Sequence, residues 1–372
     1  MIGADFIVVG LGGVGSATLY ELAKRGKNVI GIDAFSPPHT KGNSHGQTRM
    51  IRLAYFEHPD YVPLLRSAYE GWARLERDSG QNLYTETGLL EIGPPDGVVV
   101  PGVLEAARVH NLPVREFSAR ELETAYDMFE GADGLVGVFE EQAGYLRVEG
   151  CIETHLRQAA QHGVDILTNT KMLDWSEANG TVAVETSAGT LEAEKLILCP
   201  GSWATPLLDS EFKTTIVEKQ LFWFAPAEGY WNRAPGFLFE IEEGVFYGFP
   251  EVGGRGVKLA EHSGGRHLAS MSERGLEPDP DEWKRVANFA QRHLVGLSLD
   301  APIEQIVCSY AMSEDTDFVI DNHSQSKHVV FAAGLSGHGF KFATVLGEVL
   351  ADLAINGVSK QEISFLRKRE TK

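Results

Sequence analysis

The sequence is poor in cysteine, in basic residues and in long apolar runs. Its three cysteines, at positions 151, 199 and 308 of 372 residues, are too few and too scattered for a disulfide framework or a zinc site. No stretch approaches the roughly 18 consecutive apolar residues that a membrane helix needs. With 33 Lys and Arg against 52 Asp and Glu, the net charge of −19 disfavours a nucleic-acid partner, since a phosphate backbone would be repelled. The first apolar run is short and follows Asp5, so we expect no secretory signal and a cytoplasmic location.

The composition is that of a globular protein. Hydrophobic residues make up 43% of the chain and charged residues 23%, so the sequence is rich enough in apolar side chains to form a core. A length of 372 residues exceeds what one hydrophobic core usually fills. We therefore expect two domains.

The first thirty-five residues carry a dinucleotide-binding pattern. A buried strand, Phe6 to Val9, is followed at once by three spaced glycines, Gly10, Gly12 and Gly15, then by a predicted helix and a second strand that ends at Asp33. In this pattern the glycines allow a tight turn, close approach to a pyrophosphate and close helix packing. The acid is placed to accept hydrogen bonds from a ribose, and its charge disfavours the 2′-phosphate of NADP. The pattern alone does not separate NAD from FAD.

Two later segments favour FAD. The strand 195–198 ends in a turn of small residues that contains Gly201, where the chain would pass the cofactor again. The strand 329–333 leads into a second glycine turn and then a helix that we predict to be amphipathic. Glycine turns at both ends of the chain indicate a nucleotide domain assembled from separate segments.

The middle of the chain differs in character. Residues 213–262 alternate apolar and polar residues and are rich in aromatics, which predicts antiparallel strands of a separate sheet. The fold class is therefore α/β (α+β): a Rossmann-like domain built from discontinuous segments plus an antiparallel-sheet substrate domain. We assign 1–82, 145–212 and 313–372 to the first domain, and 83–144 and 213–312 to the second.

Three cations are candidates for chemistry. Lys341 lies in the first turn of the last predicted helix, where the dipole disfavours a cation, so it needs a substrate carboxylate, a structural Asp or solvent. Arg49 and Arg52 suit bidentate carboxylate binding or a surface salt bridge. They share a face if the segment is helical and point opposite ways if it is extended.

Other candidates have plain structural interpretations. Lys258 lies between apolar neighbours that point to the other side of a strand, which favours an exposed strand face over a pocket. His45, His262 and His338 lack metal-ligand spacing and are typical of structural, hydrogen-bonded histidines. By pattern alone, all three cysteines are typical of buried small residues.

Taken together, these motifs resemble the monomeric sarcosine oxidase and N-methyltryptophan oxidase family of flavoproteins. The resemblance runs from the first strand to the last helix. Where this family often has two histidines before a glycine, the chain has Ser44 and His45. The segments that carry it are Gly10–Gly15 with Asp33, Pro37–His39, Ser44–Arg49, Tyr247–Pro250, Val307–Cys308 and Gly334–Lys341.

The resemblance implies a role for each candidate. FAD would be bound covalently through its 8α carbon to the sulfur of Cys308, which replaces the core interpretation of that residue. Arg52 and Lys341 would bind the substrate carboxylate. Lys258 would lie over the flavin as the site of oxygen activation. The family pattern places further catalytic groups at Arg49, His45 and His262, substrate contacts at Tyr247 and Tyr310, and cofactor contacts at Gly10, Gly12, Gly15, Asp33, Thr48, Gly201, Gly334, Gly337, His338, Gly339 and Lys341.

The implied activity is oxidation of an N-methyl amino acid to the free amino acid, with formaldehyde and H2O2 as the other products. The implied partners are a small secondary amine with a carboxylate and O2, with no metal, membrane or nucleic acid, and the family name implies a monomer. Alternatives are a cyclic substrate such as pipecolate or proline, a flavoprotein dehydrogenase without oxidase activity, a nicotinamide-dependent dehydrogenase and a flavin-binding protein without amine chemistry.

Overall fold

The structure, a computed structural model, describes residues 2–208, 211–275, 277 and 279–368. In chain order its strands are β1 Ile2–Val9, β2 Val29–Ile32, β3 Thr48–Ile51, β4 Tyr84–Glu86, β5 Leu89–Gly93, β6 Arg115–Ser118, β7 Val136–Glu140, β8 Gly144–Arg147, β9 Asp165–Leu167, β10 Met172–Ala178, β11 Thr181–Thr186, β12 Gly189–Leu198, β13 Thr215–Pro226, β14 Gly236–Ile241, β15 Gly244–Phe249, β16 Val257–Glu261, β17 Arg266–Leu268, β18 Leu297–Ser298, β19 Glu304–Met312, β20 Val319–His323 and β21 Ser326–Ala333.

The helices are α1 Gly13–Lys24, α2 Val62–Ser79, α3 Val99–His110, α4 Ala119–Ala125, α5 Val148–Gln161, α6 Ala204–Leu208, α7 Pro280–His293 and α8 Ala343–Asn356. Short 3₁₀ turns occur at Pro59–Tyr61, Gly201–Trp203, Met271–Glu273, Phe340–Phe342 and Ser364–Leu366. Among the helices of the described residues, none is both long and apolar enough to cross a membrane.

The first large sheet has eight strands and contains the parallel set β9, β2, β1, β12 and β21. Alternate residues of β1 serve different cores. Phe6 and Val8 pack into the cluster that contains α1 and α8, whereas Ile7 and Val9 pack into the cluster on the other face. Because both faces of these strands are buried, a continuous apolar run is the pattern that fits them. The carboxyl ends of β1, β2, β12 and β21 meet at one edge of this sheet.

The second large sheet has ten strands, and its long strand β13 pairs with β16, β17, β18 and β19. Its pairings are antiparallel except that β14 runs parallel to β5. A third sheet of three strands, β3, β8 and β4, joins segments from both of the domains assigned from the sequence. The α/β class with an antiparallel second sheet is confirmed, and the division into domains stays a prediction.

Four sequence interpretations need correction. The last helix α8 is not amphipathic, because α1, α2 and β21 surround it and bury most of its residues. Lys341 lies in the 3₁₀ turn before α8 rather than in its first turn. The strand predicted at 195–198 is only the last part of a longer strand, β12, which begins at Gly189. Lys258 is not on an exposed strand face, since every residue of β16 is buried.

Candidate active site

A cavity of about 640 Å³ lies at the carboxyl edge of the first sheet. Three turns line it: the one after β1, the one after β12 and the one after β21. Of the sequence-predicted cofactor residues, the structure brings to this cavity Gly10, Gly12, Gly15, Asp33, Gly201, Gly334, Gly337 and Gly339. The edge where parallel strands end is the usual ligand position in such a sheet.

The glycines of the first turn are needed for different reasons. A Cβ on Gly15 would lie 1.7 Å from the carbonyl oxygen of Gly10, so the helix could not approach the strand. Gly10 itself has a φ of +85°, which L side chains rarely adopt. A Cβ on Gly12 would instead lie 3.7 Å from its nearest neighbour, the Oγ of Ser44, and Gly12 faces the cavity. The space beside Gly12 is therefore available to a ligand.

Helix α1 begins at this turn, and its first residues, Gly13 to Gly15, line the cavity; the N–H of Gly13 donates to the Oγ of Ser44 at 3.2 Å. Its N-cap is Gly12, which has no side chain to accept from the helix, and its first turn has no acidic residue. Such a helix end favours an anion. Asp33, at the end of β2, accepts from the backbone N–H of Leu11 at 2.7 Å and of Phe35 at 2.8 Å. The carboxylate is thus fixed at the rim of the cavity.

Cys308 lies in β19, buried beside this cavity. Its sulfur is 3.6 Å from an Nη of Arg49 and 3.7 Å from the carbonyl oxygen of Asn43, and both of these residues line the cavity. Burial raises the pKa of the Cys308 thiol, but His45 and then Arg49 outweigh burial and lower it from 9.0 to about 6. The thiolate is therefore the main form at neutral pH, and the thiolate is the nucleophile.

His45 is buried, and neither of its ring nitrogens makes a hydrogen bond of good geometry within the described residues. Arg49 donates to the carbonyl oxygens of Thr48 and Asn43, each at 2.9 Å. Arg49 lies in strand β3 and Arg52 directly follows it, so the extended alternative is the correct one. The two arginines consequently face different surroundings: Arg49 contacts Cys308, and Arg52 does not.

Lys258 is 1% exposed and makes no ion pair within the described part of the chain. Its Nζ donates to the carbonyl oxygens of Gly46 at 2.7 Å and Thr48 at 2.9 Å. Thr48, predicted to bind cofactor, is buried under this lysine and lines neither cavity. Burial, followed by the nearby Arg49, lowers the pKa of Lys258 well below its ordinary value of 10.5.

A second, smaller cavity of about 60 Å³ adjoins the first. The two share four lining residues, and the smaller one also contains all of the substrate contacts predicted from the sequence together with His262 and His338. The shared residues are Arg49, Tyr310, Gly337 and Phe340, and the remaining members of the smaller cavity are Met50, Arg52, Phe56, Glu57, Leu238, Tyr247, Phe249, His262, His338 and Lys341.

Arg52 meets two buried carboxylates that the sequence analysis missed. Its Nη2 is 2.7 Å from Glu57 Oε2, and its Nε is 3.2 Å from Glu91 Oε1. The second contact is poorly aligned, so neither Arg52 Nε nor either oxygen of Glu91 has a hydrogen bond among the described residues. Burial alone would raise the pKa of Glu57, but Arg52 outweighs it and lowers that pKa to about 2. Burial raises the pKa of Glu91 to about 8 despite Arg52.

Lys341 is 4% exposed and forms no ion pair with any described residue. Its Nζ donates to the carbonyl oxygen of His338 at 2.7 Å and lies 5.1 Å from the ring centre of Tyr55. Burial, followed by the nearby Arg52, lowers the pKa of Lys341 to about 7. His338 also hydrogen-bonds the Tyr55 hydroxyl, and burial lowers its pKa to about 4, so it is neutral near pH 7. Lys341 is thus a buried cation that faces a cavity.

Aromatic rings form the other wall of the small cavity. His262 Nδ1 lies 3.4 Å from the hydroxyl of Tyr310, and the ring of Tyr247 is 6.4 Å from that of His262. Burial, followed by Lys219, lowers the pKa of His262 to about 3. These groups supply hydrogen-bonding capacity without adding positive charge at neutral pH.

The sequence offered little signal for the carboxylates around the site. Glu57 lies only five residues from Arg52 and could have been considered as its partner. Glu91 comes from β5 in the second sheet, and Glu149 comes from α5, so only the fold brings them to the site. No group of three or more His, Cys, Asp or Glu in the described ranges is arranged to hold a metal ion.

Comparison with known families identifies the family of this chain. A family model described as "DAO: FAD dependent oxidoreductase" matches residues 5–353, most of the chain. The chain belongs to this DAO family. As a DAO-family protein it is an FAD-dependent oxidoreductase, which excludes the nicotinamide-dependent alternative and confirms the choice of FAD.

Curated relatives of this DAO-family chain match along nearly its whole length. It is 37% identical over 369 residues to a monomeric sarcosine oxidase of Bacillus sp. (strain NS-129), covering 97% of this chain and 95% of that protein. It is 35% identical over 365 residues to an N-methyl-L-tryptophan oxidase of Yersinia pestis (strain Pestoides F), covering 97% of each. The resemblance inferred from the sequence motifs is therefore confirmed.

Solved structures support the fold. NikD, an unusual amino acid oxidase essential for nikkomycin biosynthesis, aligns with a TM-score of 0.90 at 22% identity, covering 99% of this chain and 98% of that one. An L-proline dehydrogenase from P. horikoshii aligns with a TM-score of 0.83 at 18% identity, covering 98% and 97%. At these identities the likeness concerns the DAO fold alone.

The residues of the larger cavity fit the FAD of a DAO-family protein. Gly12 leaves room for close backbone approach, and the positive end of the α1 dipole, whose first residues line the cavity, suits a diphosphate. Asp33 stands at the rim, where a ribose hydroxyl can donate to it. A volume of about 640 Å³ is within the usual range for cofactor sites.

Proposed function

We propose that this protein is an FAD-dependent oxidase of N-methyl amino acids such as sarcosine or N-methyl-L-tryptophan. It produces the demethylated amino acid, formaldehyde and H2O2. The observation that carries the proposal is the pair of buried cations, Arg52 and Lys341, in a small cavity that adjoins the cofactor-sized one. The names of the curated relatives support the same substrate class.

The two cations are suited to the carboxylate of the substrate. Arg52 has an Nε without a well-aligned partner, and Lys341 has no ion-pair partner among the described side chains. A bound carboxylate adds a further anion near buried Lys341, and an anion near a buried ammonium raises its pKa again. Arg52 and Lys341 thereby fix one end of the substrate, which orients the rest of it.

Bound FAD supplies the redox chemistry: it accepts a hydride equivalent from the carbon next to the amine nitrogen, and the electrons then pass to O2. The chain's own residues position the substrate for that chemistry. Tyr247, Tyr310 and His262 line the small cavity, where they limit the water that reaches the amine. Neutral His262 avoids repelling a substrate nitrogen that carries positive charge as the C–H bond breaks.

Lys258 is proposed as the group that promotes the reaction with O2. A fixed cation stabilises the negative charge that develops as O2 is reduced. Two backbone carbonyls hold its Nζ, and the rings of Trp223 and Phe249 lie 5.5 and 5.0 Å away, so its position is strongly restricted. Arg49, whose Nη lies 3.6 Å from the sulfur of Cys308, adds positive charge near this lysine in the proposal.

Cys308 is proposed as the covalent attachment point of FAD. The lowered pKa of its thiol supports this role, since a thiolate forms carbon–sulfur bonds readily. Cys308 would hold FAD through a C–S bond to the 8α carbon; the thiol hydrogen and one hydrogen of the 8α methyl would be lost, and O2 would take up these two protons and two electrons as H2O2. His45 and Arg49 are the residues that keep the sulfur ionised.

Acid precipitation of the purified protein tests attachment, and an oxygen electrode tests the reaction. We expect yellow flavin in the wild-type pellet, flavin in the supernatant for Cys308→Ala, and O2 uptake with N-methyl amino acids. Flavin in the wild-type supernatant would refute covalent attachment only. Turnover of L-proline or L-pipecolate but not N-methyl amino acids would favour the cyclic alternative, and turnover only with artificial acceptors would favour a dehydrogenase. The monomeric state and cytoplasmic location stay predictions.

A further inference from the structure

The turn that holds Lys258 has an unusual backbone. Gly46 has a φ of +88° and Gln47 a φ of +70°, so a non-glycine residue occupies the left-handed region. Such a conformation costs free energy and persists only where surrounding contacts enforce it. The carbonyl oxygen of Gly46, at the start of this turn, is the closer acceptor of Lys258 Nζ. Whatever holds the turn therefore also sets where the lysine lies.

Glu149 is the side chain that holds the turn. Its Oε1 accepts the backbone N–H of Gly46 at 2.7 Å, and its two oxygens lie 3.2 and 3.1 Å from the backbone N of Gln47. Glu149 lies in the first turn of α5, and the N–H of Val148 in the same turn donates to the carbonyl oxygen of Gln47 at 3.0 Å. The turn is therefore hydrogen-bonded both by the first residues of α5 and by Lys258.

The side chain of Gln47 adds a third contact. Its Oε1 accepts from Trp223 Nε1 at 2.9 Å, and its Nε2 donates to the carbonyl oxygen of Val252 at 2.8 Å. The charged groups that act on Lys258 come from several elements: Arg49 on β3, Glu149 on α5, Cys308 on β19 and Arg255 before β16. Of these, Glu149 is the one that hydrogen-bonds the turn itself.

We infer that Glu149 is a positioning residue for the reaction with O2, because its carboxylate fixes the Gly46–Gln47 turn whose carbonyl oxygen anchors Lys258. This inference rests on the proposed role of Lys258. It assigns to Glu149 no contact with substrate. It predicts that the rate of reaction with O2 depends more on the length of the side chain at position 149 than on its charge.

Two variants of Glu149 separate the effect of side-chain length from the effect of charge. Glu149→Gln keeps Oε1, which accepts from both N–H groups, but removes the charge. Glu149→Asp keeps the charge but withdraws the oxygens by one bond. Glu240→Asp is the matched control, because Glu240 accepts the N–H groups of Val98 and Val99 at the start of α3 and lines neither cavity.

The holoenzyme of each variant is reduced with dithionite, and its reoxidation by O2 is followed by stopped flow. This step is independent of which amine is the substrate. We expect Glu149→Asp to slow it about tenfold, the effect of about 1.4 kcal/mol, and Glu149→Gln to stay within about threefold of wild type. The control variant leaves the rate unchanged.

Hydrogen–deuterium exchange of the segment 44–50 gives a readout that does not depend on turnover. We expect faster exchange of Gly46 and Gln47 in Glu149→Asp but not in Glu149→Gln. Unchanged exchange in the Asp variant, or faster exchange without slower reoxidation, overturns the inference. A slow Gln variant with a normal Asp variant also overturns it, since charge would then be the cause. If Lys258→Met reoxidises at the wild-type rate, the proposed role of Lys258 itself fails.

Discussion

The titration of Lys341 predicts how the affinity for a carboxylate depends on pH. Burial lowers the pKa of this lysine to about 7, so the free enzyme loses the cation above neutral pH. Glu91 has a raised pKa of about 8 and becomes an anion over the next unit. Loss of the lysine cation and gain of the Glu91 anion both disfavour binding of a ligand carboxylate in the small cavity. The affinity for a carboxylate therefore falls as pH rises, whatever the redox chemistry.

The size of the effect follows from the two titrations. If binding requires the protonated lysine, raising the pH from about 6 to about 9 weakens binding about 100-fold, or about 2.7 kcal/mol. If binding also requires neutral Glu91, its titration adds about a further tenfold by about pH 9. His338 and His262, with pKa values of about 4 and about 3, stay neutral throughout this range and contribute nothing.

The assay uses an unreactive carboxylate without an amine, such as propionate, so that no ligand nitrogen titrates. Its dissociation constant is measured from the change in flavin absorption at each pH. In Lys341→Met, binding is weaker at low pH and the first part of the pH dependence disappears. In Glu91→Gln, the steepening above about pH 8 disappears while the first part remains. Binding that is independent of pH in wild type, or an unchanged pH dependence in Lys341→Met, would refute the reasoning.

Lys341 gives the stability of the fold a pH dependence opposite to that of carboxylate binding. Its folded-state pKa lies below the ordinary 10.5, so the unfolded chain binds more protons between about pH 7 and about pH 10. The contribution of Lys341 to stability therefore improves as pH rises through this window and is poorest below it. We expect Lys341→Met to melt at a higher temperature than wild type at about pH 6, with the difference shrinking as pH rises. A lower melting temperature at every pH would contradict this.

Three further predictions concern the cofactor cavity and the buried charges. Gly12→Ala should fold with the melting temperature of flavin-free wild type but bind no flavin, whereas Gly15→Ala should fail to fold. The flavin-to-protein absorbance ratio and thermal melting check both. His45→Asn should raise the pKa of the Cys308 thiol and reduce the acid-stable flavin fraction, measured in acid pellets. Arg52→Ala should cost about 3–5 kcal/mol in urea unfolding, because it leaves the buried carboxylate of Glu57 without its ion-pair partner.

The N-terminal unit was predictable because its determinants are local. The strand, the three glycines, the helix and Asp33 lie within one short stretch, and each glycine has a steric reason visible in the pattern. The start of α4 is equally local, because Ser118 and Glu121 exchange hydrogen bonds in a capping box within one helical turn. The last helix was misjudged because its apolar spacing shows a core face but not how many neighbours surround the other faces. Burial by α1, α2 and β21 is a property of the packed domain.

The chemistry of the site was less accessible, because it depends on charges that come from distant segments. Nothing local distinguishes Cys308 from a core cysteine; its thiol is made acidic by His45 and Arg49, more than 250 residues earlier in the chain. For Lys258, the strand was predictable from the sequence but the burial of the lysine was not. Its apolar neighbours correctly predict a strand, yet the side chain of Lys258 is buried against a turn that is hydrogen-bonded by Glu149 of the distant helix α5. A resemblance to a family predicts roles for residues such as Cys308 and Lys258. The neighbouring charges and hydrogen bonds that shift their pKa values can be identified only from the folded structure.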